Sequence, residues 1–483
     1  MRTRVLRLVF ALAIASGLIL LPGASSTARA TLPSIGLKSL VHHTEVFRFP
    51  GDPLFLPGGI FLASTNGAFE LWASALPGGG VDVRQMLRKS GQAPSEIRHL
   101  PFDPENSFGF GLARFLKLTW QDESGATIVD QDVPFCPASW DVTRTNDTGP
   151  AQPTYPQFCG SQLTERMVWG VDAGWAVGAL SSAFVEDPGL ADGTYTLRVA
   201  INESYANFFE IPAAQRSHSL SVTLITFEDP GPCFPGEPCA VGRTPAVEHG
   251  QTGSGRANPP RIPPNANGLP DLIALPAFEL VTFNEGGADL LAFGANVWNA
   301  GPGPLVVEGF RTGEEMVMPA TQYFFTDGKI TGKAPVGAFH FHDAPDHFHW
   351  HFEDFAGYQL LDLNQSTVVT SGKQSFCLAP TDPIDLTAPG ATWQPERIGF
   401  FSNCGFSESI WIREVMPAGW GDTYFQFVSG QSFDITTVPN GEYFVRVVTN
   451  AAQNLKETNY DNNESLRQIK LGGRLGHRTV QIL

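Results

Sequence analysis

Pro439-Asn440-Gly441-Glu442-Tyr443-Phe444-Val445-Arg446-Val447-Val448-Thr449 reads as a tight turn feeding a strand. The Asn-Gly pair tolerates the positive φ angles of a short hairpin connection, and the β-branched and aromatic residues after it suit a pleated, half-buried surface. The same grammar recurs along the chain, with strands expected at Phe115 to Gln121, Tyr195 to Ile201, Ser219 to Ile225, Leu290 to Trp298 and Tyr358 to Leu363. Gly, Pro, Asn and Asp separate these runs, and almost nothing repeats with helical period. The expected fold is all-β, with two antiparallel β-sandwich-like domains.

The opening stretch also has a partner within the chain. Gly193-Thr-Tyr195-Thr-Leu-Arg198-Val199 matches Gly441-Glu-Tyr443-Phe-Val-Arg446-Val447. Upstream, Thr127-Ile128-Val129 leads to Phe135-Cys136 as Thr367-Val368-Val369 leads to Phe376-Cys377. Cys159-Gly160 and Cys404-Gly405 follow, and in each case Ala-Gly-Trp ends 16 residues after the cysteine, at Trp175 and Trp420. An internal duplication is the simplest reading. What both copies share is then scaffold, and what one alone holds is a candidate for chemistry. Only the C-terminal copy has a histidine cluster, Lys373 and Tyr424, and alignment on Ala-Gly-Trp sets Ala179 opposite Tyr424.

Composition bounds the compartment and partners. Arg2, Arg4 and Arg7 precede an apolar run from Leu8 to Leu21 that is short for a membrane span, so residues 1–30 read as a signal peptide cleaved after Ala30. An uncleaved anchor is the alternative. No later stretch has the length and apolarity of a span, and a secreted protein is expected. Without the leader, 27 basic residues face 48 acidic ones, a formal charge of about −21, which disfavours nucleic acid as a partner. Cys136, Cys159, Cys233, Cys239, Cys377 and Cys404 form an even set, and their spacing points to Cys136–Cys159, Cys233–Cys239 and Cys377–Cys404 disulfides. Residues 231–262, rich in Pro, Gly and Asn, read as a linker between an N-terminal sandwich (31–230) and a C-terminal catalytic domain (263–483) expected to act by itself.

Asp346-His347-Phe348-His349-Trp350-His351-Phe352 alternates histidines with large aromatics. In a strand this puts three imidazoles on one face, a donor set for Cu, Zn, Fe or Ni. A solvated histidine strand is the plain alternative. His340 and His342 repeat the alternation and read as outer groups or as isolated surface residues. His347-x-His349 followed by Glu353 also has cupin-like spacing, but the glycines flanking that motif in cupins are missing and His351 would be surplus.

The order of further motifs resembles the lysyl oxidase family. After the H-x-H-x-H segment come Leu360-Leu361-Asp362, then Lys373-Gln374-Ser375-Phe376-Cys377-Leu378, Asp422-Thr423-Tyr424, Asp434-Ile435-Thr436, Gly441 to Tyr443, and Glu457, Tyr460, Asn462 and Asn463. Counted from Asp271-Leu272 at the domain start, the match spreads over about 190 residues. The resemblance implies copper at His347, His349 and His351, and a lysine tyrosylquinone cofactor made from Lys373 and Tyr424. It implies oxidative deamination of primary amines by molecular oxygen, with peptidyl lysine as first-choice substrate and a small amine as the next. Asp354 and Asp422 are candidate bases. Calcium is implied at Asp271, Leu272, Glu457, Asn462 and Asn463, with Asn459 standing where the family has an aspartate. Departures include fewer cysteines, a shorter gap after His351, and no scavenger-receptor modules. The N-terminal copy is expected to be catalytically silent. Two other outcomes stay open at this point, a cupin-like metal enzyme and a non-enzymatic secreted copper-binding or cell-surface module.

Overall fold

A computed structural model describes residues 32–39, 41–48, 54, 56, 59–180, 187, 189–226, 266–344, 347–373, 375–428 and 430–483. The expected signal peptide, linker and Cys233–Cys239 disulfide lie outside these residues. Among those described, the chain is built of strands, with one short α-helix, Glu203–Phe208.

Among the described residues each half shows three sheets, with the strands laid out in the same order in both. In the N-terminal half one sheet runs Ser34–Ser39, Ile60–Thr65, Trp175–Gly178, Val142–Arg144; its counterpart runs Leu272–Ala274, Ala288–Asn299, Trp420–Tyr424, Asp382–Pro383. A five-stranded sheet in each half centres on the matched Gly-x-Tyr strands, Gly193–Ile201 and Gly441–Thr449. Its outermost strand differs: His43–Arg48 pairs in parallel with Ser217–Thr226, whereas His477–Ile482 pairs antiparallel with Glu464–Arg474. The third sheet runs Arg166–Val171, Phe69–Ala75, Val81–Leu87, Ser95–His99 in one half. In the other it runs Trp411–Met416, Leu305–Phe310, Val317–Thr326, Lys329–Ala344, and then continues through two more strands, His347–Glu353 and Ser375–Phe376. Those added strands are the ones that carry the histidines and follow Lys373.

Alternation sets the packing. Along Gly441–Thr449, the side chains of Tyr443, Val445, Val447 and Thr449 are buried, the period-2 pattern of a strand with one face inward. Two large apolar clusters result, one around Phe69, Phe115, Trp120 and Trp169, the other around Phe293, Phe339, Trp350 and Phe352. Each buried side chain of this size contributes roughly 1.5–3 kcal/mol relative to exposure. Leu386 and Trp420, from the C-terminal half, belong to the N-terminal cluster.

Shared landmarks have local causes. In both Ala-Gly-Trp turns the glycine takes a positive φ, +76° at Gly174 and +85° at Gly419, where a side chain is strained. A Cβ would also stand 2.7 Å from Asn146 Oδ1 in one turn and 2.4 Å from the Asp385 carbonyl oxygen in the other. Tyr195 donates its hydroxyl to the Ala191 carbonyl (3.0 Å) and Tyr443 to that of Pro439 (2.9 Å). Cys136–Cys159 and Cys377–Cys404 are both disulfide-bonded. One strand end is shorter than its sequence pattern: Ala356–Leu361 stops before Leu363. The Asp362 carboxylate accepts the amides of Asn364 (2.8 Å) and Ser366 (2.9 Å) instead, which turns the chain.

Replacing Gly419 by alanine should cost about 1–3 kcal/mol in urea unfolding, and Gly174→Ala should behave alike. An unchanged midpoint for either variant would remove the strained turn as the reason for the shared glycine.

Candidate active site

Two strands frame the histidines. Lys329–Ala344 pairs antiparallel with His347–Glu353, setting His342 opposite His349 and His340 opposite His351. Trp350 and Phe352 point into the core, and Trp350 Nε1 donates to the Phe406 carbonyl at 2.8 Å. Because side chains alternate, anchoring these aromatics turns His349 and His351 to the other face, where their Nε2 atoms lie 2.9 Å apart. The His342 ring centroid is 4.3 Å from that of His351, and Ser375 Oγ lies 3.3 Å from His342 Nε2. His347 opens the same strand opposite Ala344; its side chain lies outside the described set. His340 pairs instead with Glu353, at 3.1 Å.

Burial, and then the neighbouring positive charges of Lys373 and His340, hold the His342 imidazole below its ordinary range, favouring the neutral, ligating form. Two nitrogens each roughly 2.0–2.1 Å from one ion, at a near-right angle, stand about 2.9 Å apart. The spacing of His349 and His351 therefore fits a shared transition metal as well as it fits a hydrogen bond.

Lys373 and Tyr424 meet beside this face although 51 residues separate them in sequence. Tyr424 ends the strand Trp420–Tyr424 and lies opposite Ala295. Its ring packs edge-on against Phe376 at 4.9 Å, and its hydroxyl donates to the Cys377 carbonyl at 3.0 Å. Phe376 in turn pairs with Phe352 of the histidine strand. The Lys373 Nζ lies 4.7 Å from the Tyr424 ring centroid and 5.2 Å from that of Phe376. Ser371 fixes the lysine loop, accepting the Lys373 amide (3.2 Å) and donating to the Gly430 carbonyl (2.9 Å).

The electrostatics of this group follow from burial. Lys373 is 8 % exposed, and its amine is held below the ordinary range by desolvation, partly offset by the Asp422 charge. Asp422 is pushed well up by burial, against the pull of the Ala379 amide and Lys373. The Tyr424 phenol is also raised, by burial and then by Asp422 and Glu414. Of the two candidate bases, only Asp422 is in this cluster. Asp354 is exposed in a turn, with φ +56°, on a cleft of about 300 Å³ also lined by Tyr358, Ser371 and Arg446.

Sequence patterns alone missed Glu414, which is fully buried, accepts the Leu378 amide at 3.0 Å, and sits 3.7 Å from Cys404 Sγ. Its carboxyl is raised by burial. No motif singles it out. His342, which the Phe339-His340-Phe341-His342 alternation offers as an outer group, does stand beside His351.

The proposed calcium residues converge only in part. Glu457 accepts the Leu272 amide (2.8 Å) and the Asn463 side-chain amide (2.8 Å), and Asn462 donates to Asp271 (3.0 Å). Asn459 is exposed and accepts the Asp461 amide at 3.1 Å.

The sequence model of the family described as Lysyl oxidase matches residues 324–480, a span that includes the histidine strand, Lys373 and Tyr424. Those residues form a lysyl oxidase family domain. Over 122 residues the chain is 32% identical to Lysyl oxidase homolog 2 of Bos taurus and of Homo sapiens, 25% of this chain and 14% of either relative. It is 31% identical over 128 residues to Lysyl oxidase homolog 4 of Mus musculus, 26% of this chain and 15% of that protein. The matched region is thus about one-seventh of the length of these relatives. No helix among the described residues is long and apolar enough to cross a membrane.

A lysine whose folded-state pKa is depressed penalises the fold fully below that pKa, and the penalty fades as pH rises to its ordinary value of 10.5. In copper-free, unmodified protein of this lysyl oxidase family domain, Lys373→Met should therefore raise the melting temperature at neutral pH. The advantage should shrink as pH approaches 10.5. A gap that is constant with pH would show that Lys373 burial carries no such penalty.

Proposed function

We propose that the C-terminal half is a secreted copper amine oxidase that converts primary amines, peptidyl lysine first among them, to aldehydes. The observation that carries this reading is the Lys373 amine poised over the Tyr424 ring, one strand pairing away from the histidines. In overall balance a primary amine, oxygen and water give an aldehyde, ammonia and hydrogen peroxide.

His347, His349 and His351 would hold copper, which supplies the redox chemistry by which oxygen oxidises a phenol to a quinone. The chain's own residues prepare the joining of Lys373 to Tyr424 as lysine tyrosylquinone. Burial favours the neutral, nucleophilic amine of Lys373. Phe376 and the Cys377 carbonyl hold the Tyr424 ring and hydroxyl in place. Asp422, buried beside Lys373 and Tyr424 and raised by that burial, is better placed as a general acid or base than the exposed Asp354. The N-terminal half, with Ala179 following its matched strand and no counterpart of the two added strands among the described residues, is read as catalytically silent.

A calcium ion is the second expected ligand, held by Asp271, the Leu272 region, Glu457, Asn462 and Asn463. The Oδ1 atoms of Asn462 and Asn463 are buried without a hydrogen-bond partner, and such hard oxygens suit this cation. Burial, with the Asp271 charge beside it, raises the Glu457 carboxyl, a cost that a cation would relieve.

Copper-loaded, aerated protein should show a visible quinone band shifted by phenylhydrazine, and its digest should contain a peptide pair joined through Lys373 and Tyr424. Lys373→Ala or Tyr424→Phe should abolish that linkage and amine-dependent peroxide release while copper stays bound at about one per chain; replacing all three histidines should remove the copper. Amine oxidation by protein whose Lys373 and Tyr424 are unmodified would sink the mechanism. A preference for iron or manganese would favour the cupin-like reading, and copper without oxidation a binding module.

Calcium at about 100 times its dissociation constant should stabilise the protein by about 2.7 kcal/mol in thermal unfolding. Glu457→Gln should erase that shift, and equal shifts in both proteins would place the ion elsewhere.

A further inference from the structure

The segment from Thr381 to Gln394 is held on two sides. On one side, the N-terminal half grips its backbone. Thr164 Oγ1 donates to the Pro383 carbonyl (2.7 Å), the amides of Glu165 and Arg166 both donate to that of Ile384 (2.8 and 3.0 Å), and the Leu386 amide donates back to that of Arg166 (2.9 Å). The Arg166 guanidinium pairs with the buried Asp385 carboxylate at 2.5 Å. Further along, Trp393 stacks on Tyr155 at 5.4 Å, and the Arg88 guanidinium lies over the Trp393 ring at 5.1 Å. Both of these N-terminal residues are pinned by the buried Glu70 carboxylate, which accepts the Tyr155 hydroxyl (2.8 Å) and two Arg88 hydrogen bonds (2.8 and 2.9 Å).

On the other side, the same segment holds the strand that ends in Tyr424. Asp382 and Pro383 pair with Gly421 and Trp420. Thr381 Oγ1 accepts the Thr423 amide (2.8 Å), and the Asp382 carboxylate accepts the Thr423 hydroxyl (2.5 Å). Trp420 itself is buried in the N-terminal core, its ring 5.3 Å edge-on from Phe158. A strand of five residues therefore begins in one core, at Trp420, and ends against Phe376 and Lys373 in the other, at Tyr424.

We propose that the N-terminal sandwich is a positioning domain for the cofactor strand: its grip on residues 383–386 and its burial of Trp420 fix where Asp422 and Tyr424 stand relative to Lys373. The inference rests on the reading of Lys373 and Tyr424 as cofactor precursors. It replaces the expectation that the C-terminal half acts by itself. Phe158, Thr164 and Arg166 act through the strand and do not touch the reacting groups. The catalytically silent half is thereby required for maturation.

The test uses the full chain. In copper-free protein, amide hydrogen exchange of a peptide spanning 420–424 should be about tenfold faster in Phe158→Ala/Arg166→Ala than in wild type. The milder Arg166→Met, at a half-exposed side chain, should show a smaller increase in the same peptide, and Arg166→Lys should restore slow exchange. Leu220→Ala, a core deletion on the five-stranded sheet, should accelerate the 420–424 peptide far less than the double variant does, and no more than it accelerates other peptides of the N-terminal core. After copper loading in air, the yield of the Lys373–Tyr424 linkage should fall severalfold in the double variant with copper content unaltered. Unchanged exchange in folded Arg166→Met and in the double variant, or equal acceleration by Leu220→Ala, overturns the proposal. A wild-type chain that binds copper yet never forms the linkage defeats the oxidase reading instead, and the exchange result then still decides whether the sandwich positions the strand.

Discussion

Keeping the Lys373 amine out of water is the constraint around which the C-terminal half is arranged. A buried ammonium is costly unless charge or hydrogen bonding compensates it, and the surroundings here supply little beyond two aromatic rings and the Asp422 carboxyl. Aromatic faces attract a cation weakly, so burial holds the amine below its ordinary range, toward the neutral form. That is the form able to add to an oxidised ring. Phe376 serves twice: it walls off Lys373 and braces the edge of Tyr424, while its pairing with Phe352 ties both to the histidine strand.

The Cys377–Cys404 disulfide reinforces that tie from behind. The Cys377 carbonyl takes the Tyr424 hydroxyl, and the Cys404 carbonyl takes the Trp350 amide at 2.9 Å, between His349 and His351. One covalent link thus joins the backbone acceptor of the tyrosine to the backbone acceptor of the histidine strand. Glu414, packed beside it, satisfies the Leu378 amide immediately after the lysine segment. A cystine at this point limits how far the two reactive faces can drift apart.

What the residues revealed in advance depended on how local the cause was. The strand alternation and the glycine of each Ala-Gly-Trp arise within a few residues, and they were legible as patterns. Asn440-Gly441 instead makes no hairpin, since neither residue takes a positive φ and the strand it opens pairs with Ala356–Leu361 and Glu464–Arg474, while the strand before it pairs with Ala288–Asn299. The His349–His351 face followed from period 2 with Trp350 and Phe352 as anchors. Glu414 was not legible, because its role comes from the register of strands far apart in sequence. The two aspartates near the site looked equivalent as letters, and only the fold separates a buried Asp422 from an exposed Asp354. Asn459 matched a motif position, and the fold adds that its Oδ1 accepts the Asp461 amide of its own turn. The dependence of one half on the other was equally hidden, since the composition of residues 231–262 reads as a tether between independent bodies.

Trp420 changes what a melting curve of this molecule means. Ordinarily two sandwiches joined by a loose tether loosen separately, each with its own transition. Here one core contains an indole from a strand whose far end plugs the other. Opening either core frees one end of a strand only five residues long, too short to absorb the change by bending. The two cores are therefore thermodynamically coupled, and denaturation should be cooperative across the whole of residues 33–483, the span that forms one compact unit.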